Sequence, residues 1–442
     1  MAPVVRKTEA WLRWWHVLLG GFLLLVALWL AFSVTSRALV LIALVPVAFL
    51  PFCYARLRFH RSLGEVVNRH PMMVIALLWL GAALDGVMVA QLLTARSGST
   101  APFLHAGVIA WAGAVWFSAH ALLFVGYLFL GLGRRIEALA RRTILRPRRA
   151  EEVSLDRRAF LQSFGMVTAG LPFAVSLSGV KVSYDFQVEE YEIPLPHWPV
   201  ALDGLRIAHL SDIHVGGAMD RERLRRVAEL TNASRPDLVL HTGDFLTHRL
   251  GNFDEPLYEA LARITAPYGQ WACLGNHDYD DPDRLARRLR EAGVEVLRNR
   301  LVKIDVGGEL LEIGGLDFLF WGLDRQGKYA NLLRPWGERG ATPRILLNHD
   351  PRAFESLPHG CADLVLSGHT HGGHVGVQLA KGRALTVVGL AGVPDQGVFR
   401  RGDMRMFVTR CVGFYGYPMR VGIPPEIAVL TLRSGAPGRQ TA

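Results

Sequence analysis

The sequence predicts an α/β domain preceded by an all-α membrane region, and three observations carry that expectation. Half of the 442 residues are hydrophobic and mean hydropathy is +0.22, high for a wholly soluble chain and incompatible with a disordered one. Apolar residues of the first 133 positions are gathered into four long runs, whereas from Val182 short apolar strands alternate with charged helices. Polar clusters rich in Asp, His and Asn follow several of those strands directly. A chain of this length has room for two or three domains of about 100–200 residues. The expected boundaries are 1–133 for four transmembrane helices, 134–180 for an Arg-rich segment and a fifth apolar helix, 181–434 for the α/β domain, and 435–442 for a disordered tail.

A hydrocarbon core about 30 Å thick takes about 20 apolar residues as helix. The runs at 14–33, 38–55, 71–95 and 102–132 reach or approach that length. Trp14 and Trp15 give the first an interfacial aromatic belt, and Pro46 and Pro51 kink or tilt the second. Of 49 Lys+Arg and 39 Asp+Glu, residues 1–160 hold 18 basic and 7 acidic, and residues 205–442 hold 30 and 27. The net charge of +10 therefore belongs to the membrane half, so topology explains it and no nucleic-acid polymer is an expected partner. Arg6, Lys7 and Arg13, then Arg56 to Arg69, then Arg134 to Arg149 mark cytoplasmic segments; the intervening loops hold only Arg37 and Arg96. Asp85 in the third run is costly enough to be a functional candidate, although pairing with His120 or a backbone donor would serve packing alone. His105 and His120 read as bundle-facing polar contacts rather than metal ligands.

Residues 156–179 decide which side the domain occupies. Asp156-Arg157-Arg158-Ala159-Phe160-Leu161-Gln162 before an apolar run reads equally as a twin-arginine-type signal and as the flank of an ordinary fifth helix. Both place the domain outside the cytoplasm. A stretch lying along the surface would leave it inside. The cysteines Cys53, Cys273, Cys361 and Cys411 contain no C-x-x-C pair, so neither a zinc ribbon nor a disulfide framework is implied.

In the α/β half, Arg206 to Leu210 forms a strand before Ser211-Asp212-Ile213-His214, and an Arg-rich helix capped by Asp220 runs to about Asn232. A second strand precedes Gly243-Asp244. Trp271 to Leu274 leads into Gly275-Asn276-His277-Asp278, with a helix over about 282–292. Ile345 to Leu347 precedes Asn348-His349-Asp350, and Leu364 to Leu366 precedes Ser367-Gly368-His369-Thr370-His371. Ligands of open α/β sheets bind at the carboxyl ends of strands, so five such loops converge on one site. Asp212, His214, Asp244, Asn276, His349, His369 and His371 are oxygen and imidazole donors without a thiolate, a set suited to Mn²⁺, Fe or Zn²⁺. Seven ligands are too many for one ion. Two ions sharing a carboxylate would use them, the arrangement that clamps both oxygens of a phosphoryl displacement.

The ordered set Asp-x-His, Gly-Asp, Gly-Asn-His-Asp, a His after a strand, and Gly-His-Thr-His resembles that of the calcineurin-like metallophosphoesterases over about residues 182–434. Gly-His-Thr-His-Gly-Gly at 368–373 and Pro424-Pro425-Glu426-Ile427 are similar to the membrane-anchored, twin-arginine-bearing phosphodiesterase branch, which commonly has Gln where this chain has His374. The resemblance implies a four-layer sandwich with helices outside two mixed sheets. It implies that Asp212, His214 and His371 hold one metal ion, that Asn276, His349 and His369 hold the other, and that Asp244 bridges them. His277 would be the non-ligand acid that serves the leaving oxygen while a metal-bridging hydroxide attacks phosphorus.

The expectation is a multi-pass enzyme of the inner (plasma) membrane using two divalent ions, Mn²⁺ first, to cleave a phosphodiester or pyrophosphate. Its partners are the bilayer and a phosphorylated lipid or small phosphoester. The alternatives are a cytoplasmic-face UDP-2,3-diacylglucosamine pyrophosphatase, and a non-enzymatic membrane receptor or scaffold on the same fold. Arg249, Arg325, Arg400 and Arg401 are candidate phosphate clamps against a background of surface arginines. The aromatic cluster from Phe414 to Met419 either lines a pocket or packs beneath the sheets.

Overall fold

The computed structural model describes residues 171–435, apart from 217–218, 248–253, 321–323, 338 and 416–418, together with scattered helical residues between 114 and 136. Most of the four expected spans, Asp85, His105, residues 137–170, Arg249 and the tail beyond 435 lie outside the described residues. Among those described, no helix is long and apolar enough to cross a membrane. They fall into two units, the residues up to 177 in one and 178–435 in the other. In the first, Ser176 donates to the hydroxyl of Ser118 at 2.9 Å, and the buried His120 ring meets Phe173 edge-on at 5.7 Å.

The second unit is built on two six-stranded sheets. One contains β1 (Gln187–Leu195), β2 (Arg206–Leu210), β3 (Leu238–His241), β4 (Gln270–Ala272), β5 (Val294–Val296) and β14 (Glu426–Ser434), in the order β1-β14-β2-β3-β4-β5. The other contains β6 (Arg300–Val306), β7 (Glu309–Gly315), β8 (Arg344–Leu347), β9 (Leu364–Ser367), β12 (Gly397–Arg401) and β13 (Met404–Val408), in the order β12-β13-β9-β8-β7-β6. Neighbours β2, β3, β4 and β5 are parallel, as are β7, β8, β9 and β13. A separate hairpin joins β10 (Gly376–Ala380) to β11 (Arg383–Thr386).

Strand alternation sorts the side chains into layers. On β8, Ile345 and Leu347 enter the core between the sheets while Leu346 faces the opposite side; on β9, Leu364 and Leu366 do the same against Val365. The outer face of the first sheet is covered by α1 (Arg221–Ala233), α2 (Glu255–Leu261) and α3 (Pro282–Glu291). Against the outer face of the second packs α4 (Arg325–Leu333) with the 3-10 turn Pro351–Ser356. The result is helices, sheet, sheet, helices. Helix α1 forms because Asp220 accepts from the N–H of Arg223 at 2.9 Å and because Leu224, Val227, Ala228 and Thr231 recur at helical spacing on the buried face. Helix α3 starts the same way, with Asp281 as cap and Pro282 in the first turn.

Buried histidine makes this core sensitive to acid. His241 on β3 is buried and donates Nε2–H to Oε1 of Gln270 at 3.1 Å. Burial pushes its pKa from 6.5 down to about 4. The unfolded chain takes up a proton below about 6.5 that the folded domain refuses until about 4, so stability is full above that window and falls as pH drops through it. The loss is roughly 3 kcal/mol for this residue. Urea midpoints of metal-free protein should decline across the window, and His241→Gln should flatten the decline; an unchanged slope in the variant would clear His241 of the effect.

Candidate metal centre

Every ligand candidate stands on a turn leaving the carboxyl end of a strand, and both sheets contribute. Asp212 and His214 follow β2, Asp244 follows β3, Asn276 and His277 follow β4, His349 follows β8, and His369 and His371 follow β9. Asp212, His214, Asp244, His369 and His371 have φ between 50° and 68°, the left-handed region that side chains other than glycine enter at a cost. Such strain persists at sites where the surroundings over-determine it. Close approach explains two of the glycines that precede ligand candidates. A Cβ on Gly275 would lie 2.2 Å from Oδ1 of Asp244, and one on Gly368 would lie 2.3 Å from Oδ2 of Asp212.

The donor atoms gather into two groups, Asp212 with His214 and His371, and Asp244 with His349 and His369. Nε2 of His371 lies 3.3 Å from Oδ1 of Asp212, and Nε2 of His349 lies 3.3 Å from Oδ2 of Asp244. That same Oδ2 is 3.5 Å from Nε2 of His214, so Asp244 faces both groups. Asn276 lines the cavity beside them with its Oδ1 buried.

Each carboxylate gives one oxygen to the scaffold and turns the other inward. Oδ2 of Asp212 accepts from the Ser211 hydroxyl at 2.5 Å, the His369 N–H at 2.9 Å and the Cys411 thiol at 3.1 Å, while Oδ1 has no hydrogen-bond partner among the described residues. Oδ1 of Asp244 accepts from the His277 N–H at 2.8 Å. The histidines are aimed in the same fashion. His349 donates Nδ1–H to the carbonyl of Thr242 at 2.6 Å, and His371 donates to that of Gly413 at 3.3 Å, which turns Nε2 of each toward the carboxylates.

These observations test whether a cation fits. Nε2 of His349 faces Nδ1 of His369 at 3.1 Å, and both ring nitrogens of His214 and Oδ1 of Asn276 are buried without a hydrogen bond among the described residues. Burial opposes a proton on His349, yet Asp244 and Asp212 hold its pKa up at about 10. Positive charge is what this cluster lacks. Oxygen and imidazole donors so arranged fit divalent metal ions at two sites.

Asp278 braces the centre without joining it. Its carboxylate accepts from the N–H groups of Asp244, Phe245, Leu246 and Gly275 at 2.8, 2.9, 3.3 and 2.9 Å, binding the Gly-Asp turn to the Gly-Asn-His-Asp turn. His277 donates Nδ1–H to the carbonyl of Thr247 at 3.1 Å and packs edge-on against Tyr415 at 4.3 Å. Burial holds its pKa below the ordinary value. Tyr415, on the loop after β13, also stacks over His214 at 5.2 Å, which places part of the 414–419 aromatic cluster at the site.

A cavity of about 320 Å³ opens over both groups, and Tyr415, Arg352, Thr370, His374, Val388 and Val393 complete its lining. Arg352 was not legible as a site residue, because it lies past the end of the Asn-His-Asp motif among many similar arginines. Arg325 is not in the lining and instead pairs with Asp350 at 2.8 Å. Arg401 donates to the carbonyl of Leu357 and covers the ring of Phe354, away from the lining. His374 is stacked on His371 at 4.6 Å.

Residues 205–373 match the calcineurin-like phosphoesterase family. An uncharacterized metallophosphoesterase of Aquifex aeolicus is 32% identical over 57% of this chain and 93% of its own length. A Danio rerio transmembrane protein with metallophosphoesterase domain is 30% identical over 71% and 70%. The chain belongs to the calcineurin-like metallophosphoesterases. Uncharacterized metallophosphoesterase YkuE of Bacillus subtilis is 29% identical to it over 63% of this chain and 98% of that one. As a metallophosphoesterase it is a metal-dependent enzyme, and the two donor groups are candidate sites for its metal ions.

Proposed function

We propose that this metallophosphoesterase is anchored in a membrane and cleaves a phosphodiester or pyrophosphate bond in a lipid-linked substrate, with its domain on the extracytoplasmic face. One observation carries the substrate class: aliphatic side chains line the cavity beside the ligand side chains, an apolar contact next to the phosphoester chemistry. Val388 and Val393 line one side. Phe318, outside the lining, packs against the His349 and His369 rings at 5.9 Å each. The four apolar runs of 14–132 and the transmembrane designation of the Danio rerio relative support the anchoring. Tethering confines the site near the bilayer, an effective concentration that benefits only a membrane-resident substrate.

In this reading Asp212, His214 and His371 hold one ion, Asn276, His349 and His369 the other, and Asp244 lies between them; Mn²⁺ suits the set, with Fe or Zn²⁺ as alternatives. When bound, such ions supply Lewis-acid stabilisation of charge on the phosphoryl group. The chain's own residues do the rest. Thr247 fixes the His277 ring through Nδ1, so Nε2 is the atom that exchanges a proton with the leaving oxygen. Arg352 brings a guanidinium to the cavity wall, suited to a phosphate oxygen.

Incubating the full chain with a total membrane lipid extract should consume one species, identified by mass spectrometry against an Asp244→Ala blank. Consumption of soluble nucleotides with no lipid lost would remove the lipid reading and leave the chemistry. Reporter fusions after Ala150 and Asp185 should report opposite sides of the membrane. The same side would place the domain in the cytoplasm and favour cleavage of UDP-2,3-diacylglucosamine there.

A further inference from the structure

We propose that the β10–β11 hairpin and the following short helix α5 (Val387–Leu390) form a docking element that seats the mouth of the catalytic cavity on an anionic lipid bilayer. The proposal rests on the membrane-surface reading above and deepens it by naming the surface that meets the lipid. Among residues 178–435, half of the large hydrophobics that are exposed lie between Val377 and Leu390. Val377, Leu379, Leu385, Val387 and Leu390 are 60%, 61%, 52%, 65% and 74% exposed. Strand register sets Val377 opposite Leu385, so their side chains share one face of the hairpin, and Leu379 stands at the bulge beside them. Grouped exposure of this kind marks an interaction surface, unlike scattered single residues.

The element is held firmly. The Thr386 hydroxyl donates to Oδ2 of Asp395 at 2.5 Å, Thr370 donates to the Asp395 carbonyl at 2.8 Å, and the Gly376 N–H donates to the Val421 carbonyl at 3.0 Å. Thr370 lies between His369 and His371, so the apolar face is braced to a loop of the metal centre. It is also continuous with the cavity, since Val388 and Val393 line the cavity just beyond β11.

Charge and size choose the occupant. Residues 376–393 contain no acidic residue; Lys381 in the turn of the hairpin pairs with Glu189 at 3.5 Å, and Arg383 on β11 supplies the cation that complements anionic headgroups. A stable protein interface uses about 20–30 residues a side, and five aliphatic side chains with one cation fall well short of that. An amphipathic surface that buries aliphatic side chains at the headgroup boundary while keeping basic ones among the headgroups needs no more.

The test uses the full chain in a Cys53→Ser background, reconstituted in vesicles of phosphatidylcholine and phosphatidylglycerol, with a nitroxide attached at Leu385→Cys and, as control, at Val200→Cys, which is 82% exposed on the turn after β1. The proposal expects the label at 385 to shift toward contact with oxygen and away from a polar nickel chelate, with no such shift at 200. Equal access of the chelate to both labels would overturn it. So would spin–spin broadening between labels at 385 without lipid contact, which would make the face a contact between two copies. The Leu379→Gln, Leu385→Gln double variant should lose about tenfold of its rate on substrate in vesicles and none on a soluble ester. Lipid contact without consumption of any lipid would sustain the docking and sink the substrate class; lipid consumption with a water-exposed label would do the reverse.

Discussion

Asp244→Ala is expected to release both metal ions and lower phosphodiester hydrolysis to background. Oδ2 of Asp244 is 3.5 Å from the His214 ring of one donor group and 3.3 Å from the His349 ring of the other. Its Oδ1 meanwhile holds the His277 N–H, so truncation also loosens the turn that carries Asn276 and His277. Removing a buried carboxylate leaves the His214 and His349 rings without the counter-charge they share. Elemental analysis of the purified variant, beside its rate on bis(p-nitrophenyl) phosphate, reads both effects. A variant that keeps its metal and a substantial rate would show that Asp244 is not the shared ligand.

His277→Ala should separate chemistry from metal binding. The ring is anchored through Nδ1 to Thr247, lies against Tyr415 and His214, and belongs to neither donor group. A general acid contributes about 10²–10⁴-fold, so kcat should fall by that factor while metal content stays at the wild-type level. The loss should shrink for a substrate with a better leaving group, which needs the proton least. Metal release matching that of Asp244→Ala would assign His277 to the ligands instead.

Much of this was legible in the sequence because local physics and tertiary structure agree. Asp220 marks a helix start through a cap that the structure shows, and Leu238 to His241 reads as a strand from a short apolar run that ends at a turn. The polar loops stand out because each follows a buried strand. Other features depend on partners remote in the chain. β14 inserts between β1 and β2, pairing Leu430 with Ile207, and nothing local signals that order. Asp278 reads as the last letter of a motif, but its role comes from N–H groups more than thirty residues upstream. Arg352 and Arg325 are alike in sequence and both pair with Asp350; only packing places the first in the cavity lining as well. The exposed hairpin was missed because Val377, Leu379 and Leu385 follow the same alternation that elsewhere marks burial.

The most direct test of the account is a manganese titration of the EDTA-treated full chain, with bound metal and turnover of bis(p-nitrophenyl) phosphate read on the same samples. The account predicts about two ions per chain and a rate that rises as the second site fills. Absence of both binding and hydrolysis with manganese, iron and zinc would contradict it.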